Sequence, residues 1–162
     1  MKDRLPYIST NQINRLYISI SVIALLSGGL FYILFRPAEP VFFDWFRSLG
    51  VEKWLSLIRQ KSLSFNLFLP EWLVYSLPSG LWAFAYSILI TGIWWQSKSR
   101  IKYFWFASIL LLVIGWEILQ LTGVVSGAYS FGDILAGLVG VAAGVLIGIK
   151  LIKPKYHEKE TI

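Results

Sequence analysis

Four segments of this chain are long and apolar enough to cross a membrane, which takes about 20 mostly apolar residues. They span residues 14–35, 72–95, 101–122 and 131–152. Hydrophobic residues make up 56% of the 162 residues and aromatic residues 17%, a composition typical of integral membrane proteins. We therefore expect an all-α, polytopic membrane protein, one domain over 1–162, folded as a four-transmembrane-helix bundle. The first segment lacks a small-residue cleavage site and is interpreted as a retained signal anchor.

The basic residues predict how this bundle is oriented. Ten of the fifteen lie at the start of segment one, between segments two and three, and after segment four: Lys2, Arg4, Arg15, Lys98, Arg100, Lys102, Lys150, Lys153, Lys155 and Lys159. Loops rich in Lys and Arg stay on the cytoplasmic side. We therefore expect a plasma-membrane protein with both termini in the cytoplasm. Because these residues flank apolar runs rather than form a stripe among exposed aromatics, we expect membrane lipids as partners and no nucleic acid.

The outward connection, at 41–69, is too apolar for an ordinary loop. Apolar residues recur there at helical spacing: Phe42, Trp45, Phe46, Leu49, Val51, Trp54, Leu55 and Ile58. Polar residues occupy the other face in the second half of the segment: Glu52, Lys53, Arg59 and Gln60. The pattern predicts one or two short amphipathic helices on the outer membrane surface. They would serve either as a lid or as a platform that contacts lipid or ligand.

Segment three carries an acid at membrane depth. Glu117 lies about 22 Å along the helix from Lys102, at 1.5 Å per residue, and Gln120 follows on the same helix face. An ionisable side chain inside a membrane span is costly and is by default a functional candidate. Two explanations remain open. The pair either lines a wet cavity or forms hydrogen bonds with a neighbouring helix.

Asp133, at the start of segment four, has a structural explanation as well as a functional one. Ser130 and Asp133 fit the spacing of a capping box, in which hydroxyl and carboxylate satisfy the first amide donors of a helix. Segment four begins beside the end of segment three, so Asp133 should also approach Gln120. We expect capping and a role in the site to be compatible.

Segment two contains Pro78, which removes one backbone donor and predicts a kink near the outer surface. Because kinks often border cavities, we count the neighbouring Ser79 and Tyr75 among the candidate ligand-binding residues. The alternative is that Pro78 only starts the regular part of the helix after a frayed entry.

Segment four carries small residues at strict four-residue spacing: Ala136, Gly140, Gly144 and Gly148. Small residues at this spacing let another helix backbone approach closely in a membrane. We name this row the glycine ridge and expect it to pack against a neighbouring helix.

Together these features resemble the VanZ-like family of small helical membrane proteins. The resemblance rests on Glu117, Gln120, a short Gly-containing turn, Asp133 and the glycines of the following helix. The chain differs from the family pattern at 126–128, where members carry an Arg, and at Gly137, where they carry an Asn. Founding members are associated with resistance to teicoplanin-type glycopeptide antibiotics. The resemblance implies that this protein binds or protects an amphipathic, glycopeptide-type or lipid-type component of the cell envelope.

Enzymatic alternatives are limited by residue content. The chain has no Cys, and its one His, His157, lies in a charged tail, which disfavours a Ser-His or Cys-His nucleophile. An aspartyl dyad would have to combine Glu117 with Asp133, and a magnesium-assisted reaction would need more carboxylates. We predict no catalytic residue, cofactor or metal ligand. The competing hypothesis is a small membrane enzyme or carrier that uses Glu117 and Asp133 on a lipid-linked substrate; the oligomeric state stays open.

Overall fold

The computed structural model describes residues 10–35, 48–50, 52–66, 69–125 and 128–152. Five helices and no strand occur in these ranges: α1 (Thr10–Phe35), α2 (Glu52–Asn66), α3 (Glu71–Trp94), α4 (Ile101–Leu121) and α5 (Phe131–Ile152). All but α2 contain a stretch long and apolar enough to cross a membrane. The expected all-helical chain with four long apolar helices is confirmed, with helix bounds within a few residues of those predicted.

Helix α3 lies at the centre of the bundle. It contacts α1, α4 and α5, and 44% of its most apolar window is buried, the largest share among the four long helices. A helix that is buried on several sides belongs to the interior of a bundle. The positions of its neighbours therefore decide where a site can form.

Helix α1 packs antiparallel to α3 through one narrow stripe. The buried residues follow each other at intervals of four, three and four: Tyr17, Ser21, Ala24 and Gly28. The ring of Tyr17 lies against Gly92 of α3, and its hydroxyl donates to the carbonyl of Gly148 in α5 at 2.6 Å. The opposite face of α1 exposes large aliphatic side chains, as a lipid-facing surface requires: Ile18, Val22, Ile23, Leu25, Leu26 and Leu30.

Helix α5 packs parallel to α3 through the glycine ridge. A Cβ on Gly144 would lie 2.7 Å from the Phe84 carbonyl oxygen, and one on Gly148 would lie 2.7 Å from Thr91 Cγ2. A Cβ on Gly140 would overlap the carbonyl of Gly80, which itself lies beside Ala136. The ridge therefore lies against α3 at four successive turns, and only glycine fits at its last three positions.

Hydroxyl groups on the facing side of α3 are satisfied within that helix. Ser87 Oγ donates to the Ala83 carbonyl at 2.6 Å, and Thr91 Oγ1 donates to the Ser87 carbonyl at 2.8 Å. Both residues are fully buried. Because these polar groups have their hydrogen bonds inside α3, the backbone of α5 can approach without leaving a buried donor unpaired.

Helix α2 connects α1 to α3 and packs on α1. Its buried face carries Arg59, which is 6% exposed, and the half-buried Leu55 one turn earlier. The sequence pattern places Arg59 on the polar outer face, and this is wrong. Residues four apart share a helix face, so contact through Leu55 brings Arg59 inward and leaves Trp54 and Ile58 exposed. The predicted apolar residues Phe42, Trp45, Phe46 and Val51 lie outside the described residues.

Because the helix directions alternate from α1 to α3 and α4, the charged residues that flank the long helices fall into two groups, one at each end of the bundle; α2 carries basic residues of its own, Lys53, Arg59 and Lys61. The described basic residues of the helix ends and of the link between α3 and α4 lie at one end, here called the basic end: Arg15, Lys98, Arg100, Lys102 and Lys150. The α2 end is opposite and holds α2, Glu71 and Asp133. Trp94 and Trp105 stack at the basic end with ring centroids 6.1 Å apart.

Candidate functional site: a cleft between α3, α4 and α5

Helix α4 is the least buried of the long helices, and only its Ile109 and Glu117 are buried. It contacts α5 where Val113 Cγ1 would lie 2.6 Å from a Cβ on Gly137. Between α4 and its neighbours lies a cavity of about 660 Å³, here called the cleft. Its volume falls in the usual range for sites that bind small molecules. Fourteen residues line it: Tyr32, Ser79, Trp82, Ala83, Tyr86, Ile109, Leu112, Val113, Trp116, Glu117, Gln120, Ala128, Asp133 and Gly137.

The cleft reaches from the α2 end of the bundle to about its middle. Gln120 lies near one limit and Ile109 near the other, which corresponds to about 16 Å along α4 at 1.5 Å per residue. The floor includes Tyr86, whose hydroxyl shares a 2.8 Å hydrogen bond with Ser108 Oγ. The cleft is thus about half as deep as the ~30 Å hydrocarbon core of a bilayer.

Glu117 joins α4 to the start of α5. Its side chain is 5% exposed, and Oε2 accepts a hydrogen bond from the backbone N–H of Ser130 at 2.9 Å. Ser130 Oγ in turn accepts from the backbone N–H of Asp133 at 3.3 Å, which is the hydroxyl half of the predicted capping box. In a complete capping box the Asp133 carboxylate would accept a hydrogen bond from the Ser130 N–H. Here Glu117 Oε2 accepts that bond instead.

Asp133 is thereby available to bond across to α3. Its Oδ1 accepts a 2.6 Å hydrogen bond from Ser76 Oγ. A Cβ on Gly132 would lie 2.9 Å from Ser76 Oγ, so the glycine before Asp133 allows this close approach. Ser76 is 4% exposed and was missed by sequence reasoning. A small polar residue in an apolar span is a signal, but only the rotation of α3 shows which one faces Asp133.

Gln120 is on the Glu117 face of α4, as its spacing predicts, and also lines the cleft. In the amide orientation that satisfies both of its polar groups, Nε2 donates to the Ala128 carbonyl at 3.3 Å. Oε1 then accepts from Trp116 Nε1 at 3.2 Å. Both side chains line the cavity, as the first explanation requires. Only Glu117 bonds to the start of another helix, at Ser130, whereas the partners of Gln120 lie in α4 itself and in the connection to α5.

The two candidate ligand-binding residues of segment two, Ser79 and Tyr75, lie in different places. Ser79 lines the cleft, whereas Tyr75 is 39% exposed and does not. Pro78 is buried inside a helix that runs without interruption from Glu71, so the alternative in which it starts the regular helix is wrong. The structure therefore brings Glu117, Gln120, Asp133 and Ser79 to one cavity, with Ser130 bridging the two acids.

Apart from the carboxyl groups, most of the side chains that line the cleft are aromatic or aliphatic. Tyr32 and Trp82 lie with ring centroids 5.8 Å apart, and Trp82 Nε1 donates to the Leu25 carbonyl at 3.3 Å. None of the described lining residues is Lys, Arg or His. The described part of the chain also holds no group of three or more His, Asp or Glu side chains that could bind a metal ion.

A second groove, of about 570 Å³, follows the other side of the α3–α5 contact. Its described walls carry no charged residue and include Trp72, Leu77 and Val139. The Ser76 hydroxyl that borders this groove already donates to Asp133. The cleft, with two carboxyl groups and an amide in its lining, is therefore the better candidate for a specific site.

Comparison with protein-family models, curated proteins and solved structures gave no match for this chain. The resemblance to the VanZ-like family stays an interpretation of the residue pattern.

Proposed function

We propose that the chain is a multi-pass plasma-membrane protein that binds an amphipathic component of the cell envelope in the cleft. The observation that carries this proposal is the change of polarity along the cavity. Two carboxylates and an amide lie near its α2 end, and the rest of the lining is mostly aromatic and aliphatic, with the hydroxyl groups of Ser79 and Tyr86. A ligand with a polar head and an apolar body fits that gradient.

The proposed orientation follows from the charges. With the basic end in the cytoplasm, the α2 end faces outward and the cleft lies in the outer leaflet. An envelope component approaching from that leaflet would reach Glu117 and Asp133 first. The pattern that resembles the VanZ-like family supports an envelope ligand of glycopeptide or lipid type.

One observation favours the competing function, a small membrane enzyme or carrier acting on a lipid-linked substrate. Ser130 links the two acidic residues, because its N–H donates to Glu117 Oε2 and its Oγ accepts from the backbone N–H of Asp133, and both carboxyl side chains line the same cavity. Paired carboxylates can handle a proton. The two functions differ in outcome, because a binding protein returns its ligand unchanged in mass and an enzyme does not.

Reporter fusions test the orientation. We expect fusions after Lys98 and at the C-terminus to give a cytoplasmic signal, and one after Lys61 an external signal. An external C-terminus would contradict the proposed siting of the cleft.

Native mass spectrometry of gently extracted protein tests binding. We expect an amphiphile to remain bound to the parent protein and to be retained less by Ala83→Leu, which narrows the cleft at a lining residue that is 7% exposed. Ala142→Leu is the matched control, because Ala142 is exposed on α5 and lines neither cavity. Equal retention in both variants, or no amphiphile on the parent protein, would contradict the proposal.

A further inference from the structure

We infer that the cleft selects amphiphiles that carry a primary ammonium group. The inference rests on the proposed function and narrows its ligand to one headgroup chemistry. Charge, hydrogen-bonding capacity and aromatic lining each support it.

The charged side chains among the described residues that line the cleft are all acidic. Glu117 and Asp133 line it, and no basic side chain stands among the other described lining residues. Glu117 is 5% exposed, and a buried carboxylate is costly unless a counter-charge or hydrogen-bond donors compensate it. A cationic headgroup would supply the counter-charge that the described walls do not.

Both carboxylates also keep acceptor capacity for a ligand. A carboxylate offers two oxygens with about four lone-pair sites. The described residues engage Glu117 through Oε2 and Asp133 through Oδ1, and no hydrogen bond from them reaches the second oxygen of either group. An –NH3⁺ group brings three donors together with its charge, and hydrogen bonds between charged partners are the strong ones.

The aromatic lining favours the same ligand. Trp82 and Trp116 both line the cleft, and their indole N–H groups donate to the Leu25 carbonyl and to Gln120, respectively. The indole N–H of each ring is therefore already engaged, and the rings contribute aromatic surface to the cleft. Trp rings attract ammonium cations of every kind, so the lining favours a cationic headgroup, and the unengaged carboxylate oxygens favour one that carries N–H donors.

These features separate a primary ammonium from other headgroups. A trimethylammonium group carries charge but no N–H donor, so the second oxygens of Glu117 and Asp133 would stay unpaired. An anionic headgroup would meet two carboxylates and no described cation in the lining.

The test uses the full-length protein in mild detergent with an equimolar mixture of phosphatidylethanolamine, phosphatidylcholine and phosphatidylglycerol of identical acyl chains. Native mass spectrometry measures which lipid is retained. We expect retention of phosphatidylethanolamine to exceed that of each other lipid by about tenfold, which corresponds to about 1.4 kcal/mol.

Two variants assign the preference to the carboxylates. Glu117→Gln and Asp133→Asn each keep an oxygen acceptor for the existing protein hydrogen bond but remove the charge, and we expect the tenfold preference to fall to about twofold or less. Glu71→Gln is the matched control, because Glu71 is exposed at the same end of the bundle and outside the cleft. It should keep the full preference. If Glu117→Gln cannot be purified, Asp133→Asn alone decides.

Two single-chain probes show whether the ammonium group alone is recognised or the whole ethanolamine headgroup is required. We expect dodecylamine to displace bound phosphatidylethanolamine and dodecanol to leave it in place, since only the first carries a primary ammonium. Displacement by neither probe, with the lipid preference intact, would mean that recognition requires the whole ethanolamine headgroup and would overturn recognition of the ammonium alone.

The inference and the proposed function fail differently. Equal retention of the three lipids, or a preference for choline or glycerol headgroups, overturns the inference, while loss of bound lipid in Ala83→Leu would still support binding in the cleft. If the parent protein retains no amphiphile, or if Ala83→Leu retains as much as Ala142→Leu, the proposed function itself fails.

Discussion

Helix α3 has two sides built on opposite packing rules. Toward α5 it meets glycines so closely that a single Cβ at Gly144 would lie 2.7 Å from a backbone oxygen. Toward α4 it leaves a cavity of about 660 Å³, and polar contacts such as Tyr86 to Ser108 cross the gap. The glycine ridge itself leaves no room between the two backbones, whereas the side toward α4 has room for a ligand.

The difference shows where stability and function reside in this bundle. Lipid tails are as apolar as leucine, so helices associate in a membrane through close van der Waals contact and hydrogen bonds. The α3–α5 contact supplies the first, and with α1 it forms a firm frame. Helix α4 packs less closely on these three helices, and its Glu117 lines the cleft.

The largest expected effect comes from inserting bulk into the tight side. Gly144→Leu should lower the free energy of unfolding by about 3 kcal/mol, the upper part of the usual cost of overpacking, because backbone atoms of α3 cannot move aside. Gly29→Leu is the matched control, since a Cβ there meets nothing within 4 Å. Unfolding in mild detergent measures both. Equal stability of the two variants would break the comparison.

A smaller effect is expected at the border between the two sides. Ser76→Ala removes the donor to Asp133 Oδ1, and hydrogen bonds to charged groups are worth about 2 kcal/mol. A double-mutant cycle with Asp133→Ala, which removes the acceptor, read by the same unfolding measurement, should show that the two losses are coupled. Fully additive losses would mean that the bond between α3 and α5 contributes nothing.

On the open side, Glu117→Gln should lower stability by about 1 kcal/mol, because a neutral acceptor replaces a charged one for the Ser130 N–H. The variant should insert and express near parental levels yet lose ligand preference. Stability and ligand retention are measured on the same preparation. A loss of stability as large as that of Gly144→Leu, with ligand retention unchanged, would show that Glu117 serves to hold the helices together and not to bind a ligand.

The smallest effect is expected at the floor of the cleft. Tyr86→Phe removes one hydroxyl, but Ser108 Oγ keeps its 2.7 Å bond to the Trp105 carbonyl, so the loss should be about 0.5 kcal/mol. Tyr103→Phe is the control, because Tyr103 is 67% exposed on α4. A much larger loss at Tyr86 would show that α4 is held more firmly than its packing indicates.

Sequence reasoning was sufficient for the long helices because continuous apolar length is itself the signal. Each of the four was placed within a few residues of its bounds. The acids Glu117 and Asp133 also stood out, since carboxylates are rare at membrane depth. The family resemblance remains untested by these comparisons.

Rotation and partner choice could not be read from the sequence in the same way. Tyr75 and Ser76 are adjacent, yet one is 39% exposed and the other is buried against Asp133. Neighbouring helix positions point about 100° apart, and α3 is apolar all around, so its pattern gives no direction. The burial of Arg59 could not be predicted for a similar reason. An amphipathic pattern does not show whether a helix lies on a membrane surface or packs on another helix, so it does not show which face is buried.

The parallel pairing of α3 with α5 also bears on biosynthesis. Of the four long helices α3 is the least hydrophobic, and the small polar residues of its buried face, Ser76, Ser87 and Thr91, are covered only once α5 has arrived. The ribosome must synthesise both α4 and α5 before that happens. Until α5 is in place, the least hydrophobic of the four long helices therefore stays uncovered on this face, and a variant truncated before α5 should be directed to proteolysis.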